Sequence, residues 1–81
     1  MNYEVVFDED AIDFLNTLEK NLKKRIYEKI IVAANNPFHF FERLTGRKDY
    51  KLKVGKYRVI ADIYDSQIHI THIGLRKNVY K

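Results

Sequence analysis

Lys51, Lys53 and Arg58 fall within eight residues of one another, in the run Tyr50-Lys51-Leu52-Lys53-Val54-Gly55-Lys56-Tyr57-Arg58-Val59-Ile60. Cations alternating with apolar residues belong on one face of an extended chain, because successive side chains of a strand point to opposite sides. Lysine and arginine gathered on one face bind anions, and a phosphodiester is the obvious anion for such a groove. The chain has no cysteine, which removes disulfides, thiolate metal sites and a thiol nucleophile. Arg76 and Tyr80, downstream of the last strand-like run, are further polar groups able to reach the same face. His69 and His72 stand three apart, a spacing that on a strand places them on opposite faces and argues against a shared metal.

The elements that position these residues follow from patterning. Residues 2–7 are rich in β-formers and read as a first strand. Asp8 then suits a helix N-cap, with Glu9 and Asp10 favouring the positive end, and Ala11, Phe14, Leu15 and Leu18 recur at helical spacing up to about Lys20. Asn21 reopens the pattern, and Leu22, Ile26, Ile30 and Ala34 step by four, with Tyr27 and Ile31 widening the stripe, so residues 22–34 form a second amphipathic helix. Asn35-Asn36-Pro37 ends it, since asparagine tolerates a left-handed cap and proline cannot continue a helix. Phe38 to Asp49 reads as a loop with apolar plugs at Phe38, Phe40, Phe41 and Leu44. Three strands follow, 50–54, 57–64 and 67–73, joined by Gly55-Lys56, which suits a type II′ turn, and by Asp65-Ser66. The expected fold is α+β: a βααβββ order in one domain spanning 1–81, an antiparallel sheet with the two N-terminal helices packed on one face.

Two-residue turns fix the register by counting. Val54 pairs with Tyr57, Lys53 with Arg58 and Lys51 with Ile60, and across the second turn Arg58 lies opposite Ile73. One face then carries Leu52, Val54, Val59, Ala61, Ile63, Ile68 and Ile70, with His72 on this core side, and the other carries Lys51, Lys53, Arg58, Asp62, His69 and Thr71. Like charges stacked across strands are unfavourable by roughly a few tenths of a kcal/mol. An anion in the groove offsets that repulsion; so would neutralisation by Asp62 or by loop carboxylates, or long side chains splayed into solvent.

Charge distribution agrees with an anionic partner. Residues 1–42 hold 8 acidic and 5 basic side chains, whereas residues 43–81 hold 10 basic and 3 acidic ones, within a net charge of +4. No apolar run is long enough to span a membrane, and Glu4, Asp8, Glu9, Asp10 and Asp13 are foreign to a secretory leader, so a cytoplasmic protein is expected.

The hairpin run Tyr50 to Ile60 resembles the central hairpin of RelE toxins of the RelE/ParE superfamily, and Ile73-Gly74-Leu75-Arg76-Lys77-Asn78-Val79-Tyr80 looks like their closing strand. The Tyr3-to-Phe7 strand, the Ala11 and Leu15 helix, the Asn36-Pro37 break and the Leu44-Thr45-Gly46 lead-in are similar as well, so the match runs through the whole chain in order. The resemblance implies a type II toxin that cuts mRNA in the ribosomal A site and is silenced by a cognate RelB-like antitoxin, monomeric when free and of higher order in the complex. By position it implies catalytic roles for Lys51, Lys53, Arg58, Arg76 and Tyr80; His69, on the polar face by register, and Lys48, Lys56 and Lys77 of the basic half are further candidate RNA contacts. The implied chemistry needs no metal or cofactor: the RNA 2′-hydroxyl attacks the adjacent phosphate to give a 2′,3′-cyclic phosphate, Arg58 and Arg76 stabilise the phosphorane, and Lys51, Lys53 or Tyr80 move protons. Other nuclease branches place a glutamate or histidine beside the final tyrosine, a position that His39, His69 and His72 do not match. Two other readings fit the same residues: a ParE-like toxin that poisons DNA gyrase, and a module that binds RNA or the ribosome without cutting.

Overall fold

Apolar side chains recur every second residue in the C-terminal half and every third or fourth in the N-terminal half, and the fold packs the two patterns face to face. A computed structural model describes residues 3–79. In chain order they form β1 (Glu4–Phe7), α1 (Glu9–Asn16), α2 (Lys20–Ala34), α3 (Pro37–Phe40), β2 (Glu42–Arg43), β3 (Tyr50–Val54), β4 (Tyr57–Tyr64) and β5 (Gln67–Leu75). The five strands make one sheet in the order β1-β5-β4-β3-β2. Ala11 and Leu15 of α1 and Ile26, Ile30, Ala33 and Ala34 of α2 pack against Leu52, Val54, Val59, Ala61, Ile68, Ile70 and Ile73 of the sheet. The α+β class and the two N-terminal helices on one face are as the sequence implies.

Several details differ, each for a physical reason. The sheet is mixed, because β1 runs parallel to β5 from Glu4↔Gln67 to Phe7↔Ile70. Its two helices return the chain across one face, the kind of crossover that a parallel pair requires. The segment read as a loop holds a short helix started by Pro37 and a two-residue edge strand, and within it Phe41 is buried while Phe38 is 58% exposed. α2 starts at Lys20 rather than after Asn21, because the Glu19 side chain caps it by accepting from Asn21 N–H at 2.6 Å. Asn35 ends that helix in a right-handed conformation, so no left-handed cap is used. Tyr27, 48% exposed, and Ile31, 39% exposed, do not widen the buried stripe.

Both two-residue turns hold. Gly55 has φ +58°, as the first position of a type II′ turn requires, whereas Asp65 and Ser66 are both left-handed at φ 49° and 61°, the type I′ pattern. The register is as counted from Tyr64↔Gln67 to Ala61↔Ile70, then slips by one residue, since Ile60 pairs with His72. Thr71 is the extra residue of a bulge. Arg58 therefore faces Gly74, not Ile73, and His72 lies on the polar face rather than the core face.

Candidate nucleic-acid interface

The polar face is built on the β3–β4 hairpin, whose observed pairs Lys53↔Arg58 and Lys51↔Ile60 match the sequence reading. Arg58 is only 9% exposed. Its Nη1 donates to the carbonyls of Gly55 at 2.7 Å and Tyr57 at 2.8 Å. A guanidinium carries five N–H donors, so fixing one nitrogen on the turn orients the group while other donors remain for an anion. Gly74 across the ladder presents no side chain toward it.

The edge strand β2 adds a carboxylate from the segment that the sequence reads as a loop. Glu42 pairs with Lys51, which places it on the polar face, and its Oε1 sits 3.7 Å from Lys53 Nζ. Both partners of this ion pair are more than half exposed, so it holds Lys53 weakly. Of the two sources of neutralisation that the sequence leaves open, it is the carboxylate of the expected loop, Glu42, and not Asp62, that meets the lysines. Strand β2 is too short and too polar to announce itself, and only an acidic residue nine and eleven positions ahead of the two lysines hints at it.

Three of the other predicted basic residues, Lys56, Arg76 and Lys77, gather at the turn end of the hairpin. Arg76 N–H donates to the Lys56 carbonyl at 2.9 Å, docking the segment after β5 against the β3–β4 turn. Lys56, Leu75, Arg76 and Lys77 line an open cleft of about 690 Å³ there. Arg58, Lys56, Arg76 and Lys77 thus share one end of the sheet. Lys48 is exposed in the β2–β3 loop. Tyr80 lies outside the described residues.

His69 is placed differently. It pairs with Asp62 across β4–β5, and its Nε2 is hydrogen-bonded to the Asp8 carboxylate. Asp8 stands at the N-terminus of α1 but makes no side-chain cap bond, because its carboxylate is turned to His69. Asp62 is four residues from Arg58 along β4, about 13 Å at the strand rise, so the polar face runs from a basic end to an acidic one. Sequence reasoning also missed Arg47, which donates to Asp49 Oδ2 at 2.6 Å and shares a second cleft of about 400 Å³ with His72, Gly74 and Asn78.

Residues 5–80 match the family model described as the ParE toxin of the type II toxin–antitoxin system, parDE. The chain belongs to the RelE/ParE family of toxins. The toxin is 29% identical over 80 residues to a RelE-like toxin protein of Escherichia coli, an alignment that covers 95% of this chain and 84% of the relative. Its fold resembles that of a chain in the RelBE2 toxin–antitoxin complex of Mycobacterium tuberculosis, with a TM-score of 0.82, 20% identity, and 94% and 100% of the two chains covered. The archaeal RelE–RelB complex of Pyrococcus horikoshii gives a TM-score of 0.76 at 25% identity, covering 96% and 99%. The toxin therefore acts within a type II toxin–antitoxin system.

Proposed function

We propose that the toxin is a RelE-like mRNA endonuclease that works in the ribosomal A site without a metal. The observation that carries this reading is the hairpin: Lys51, Lys53 and Arg58 share one sheet face, with the Arg58 guanidinium held in place by two turn carbonyls. A pre-oriented guanidinium in a largely buried setting stabilises charge on a phosphorane more than a mobile surface arginine does. The 2′-hydroxyl attacks the adjacent phosphorus, the bond to the 5′-oxygen breaks, and a 2′,3′-cyclic phosphate remains. Arg58 and Arg76 bind the phosphate oxygens, and Lys51, Lys53 and Tyr80 supply positive charge and proton transfer. A RelB-like antitoxin is the proposed partner, in keeping with the solved relatives, which occur in complexes with RelB. The free toxin is expected to run as a monomer on a sizing column, and a stable oligomer of toxin alone would count against that.

A second reading, poisoning of DNA gyrase, draws support from the family model, whose description is that of ParE. The experiment that separates the two is primer extension on mRNA held in programmed ribosomes, run beside a gyrase supercoiling assay. Cuts within the A-site codon that disappear in Arg58→Ala support the endonuclease. Inhibited supercoiling by a toxin that leaves mRNA whole supports the gyrase reading instead.

A further inference from the structure

The bulge in β5 re-aims one side chain. Ile60 pairs with His72 and Ala61 with Ile70, and the extra Thr71 is pinned by its hydroxyl donating to the Ile60 carbonyl at 3.2 Å. Without that residue His72 would point at the helices. Bulges are over-represented beside active sites for this reason. With it, His72 completes a row across the polar face, Glu42, Lys51, Ile60, His72, next to the row Lys53, Arg58, Gly74. From strand spacing and rise, the His72 Cα stands about 8 Å from that of Arg58 and about 10 Å from that of Lys51. Those separations lie within the reach of their side chains toward one phosphodiester. His72 is exposed, and it lines the 400 Å³ cleft with Arg47, Gly74, Asn78 and Val79.

We propose that His72 is the general base of the cleavage reaction, an assignment that rests on the endonuclease reading. Imidazole is the side chain ordinarily able to take up and release a proton near neutral pH, which an ammonium group does poorly. His72 takes the proton of the 2′-hydroxyl as that oxygen bonds to phosphorus. The bond from phosphorus to the 5′-oxygen breaks, and the leaving oxygen takes a proton from the Lys51 ammonium. Both groups return to their starting states by exchange with solvent. The charged groups around His72 are Lys51 from β3, Arg58 and Asp62 from β4, and Arg47 from the β2–β3 loop with its partner Asp49. From α1 it is Phe14, an uncharged residue, that lines the cleft.

The test is single-turnover cleavage of A-site mRNA in programmed ribosomes across pH, for wild type, His72→Ala and His72→Gln. Substitution of an exposed residue should leave the melting temperature unchanged. The expected result is a loss of about 100-fold or more in rate, with ribosome binding within about two-fold of wild type. The ascending limb of the wild-type pH profile should vanish in His72→Ala, and added imidazole should restore part of that variant's rate. A His72→Ala rate within two-fold of wild type overturns the assignment and leaves the endonuclease reading standing. So does a loss that imidazole does not rescue and that accompanies weaker ribosome binding. Failure of the wild type to cut at all overturns the endonuclease reading and this assignment with it.

Discussion

Glu42 faces Lys51 across the edge of the sheet while its carboxylate reaches Lys53 at 3.7 Å, so the lysine pair carries a built-in competitor for its anion. Removing that charge should tighten RNA binding. Glu42→Gln is expected to raise affinity for a short RNA several-fold at low salt, with the gain shrinking as salt rises, as measured by fluorescence anisotropy. Thermal stability should change by no more than a few tenths of a kcal/mol, because the pair is exposed.

Arg58→Ala should abolish cleavage and leave a folded toxin. The two carbonyls released at Gly55 and Tyr57 lose their partner, a cost of about 1–2 kcal/mol that chemical denaturation can measure. Arg58→Lys should recover little activity, since an ammonium cannot serve the turn carbonyls and a phosphate with one planar fork. An Arg58→Lys variant as active as wild type would show that positive charge alone suffices.

The Asp8–His69 pair should matter to stability more than to RNA. It ties the β1–α1 junction to β5 at the acidic end of the polar face. A double-mutant cycle with Asp8→Ala and His69→Ala is expected to give a coupling above about 0.5 kcal/mol. RNA affinity of His69→Ala should stay within about two-fold of wild type. A large drop in affinity without loss of stability would return His69 to the RNA contacts.

The core should respond according to burial. Ile26, 0% exposed beneath the sheet, should cost about 2–5 kcal/mol when cut to alanine, whereas Ile12, 44% exposed on α1, should cost well under half of that. Gly55→Ala should lose about 1 kcal/mol through its φ of +58°, since an added Cβ would meet nothing closer than Arg25 Nη2 at 3.7 Å. Urea unfolding of the three variants tests this ranking.

The hairpin was legible in the sequence because Gly55-Lys56 and Asp65-Ser66 are short turns with distinctive backbone needs, and alternation then sorted the faces as far as Ala61. Beyond it the reading failed at one residue. Thr71 and His72 fit either face by composition, so nothing local marks the bulge that exchanges them. The parallel pairing of β1 was hidden for another reason: Val5 and Val6 look the same whichever strand they join, and the partner lies more than sixty residues away. Strand β2 escaped because Glu42-Arg43 has neither length nor hydrophobicity. Of the basic site, Lys51, Lys53 and Arg58 were placed by register, and Lys56, Arg76 and Lys77 come together through the backbone bond from Arg76 to Lys56. Glu42, Arg47 and His72 needed the tertiary structure.

The position of β5 has a consequence for how the molecule comes into being. It is the latest of the five strands to be synthesised, yet it lies between β1 and β4. A growing chain that has not yet made Gln67 leaves β1 without a neighbour, and Gly74, His72 and Arg76 do not yet exist to complete the basic face. The same long separation between paired strands slows folding after synthesis, because the loop must close before the contacts form. An unfinished chain thus carries no complete basic face, and the toxin becomes whole only when β5 slots between strands made long before it.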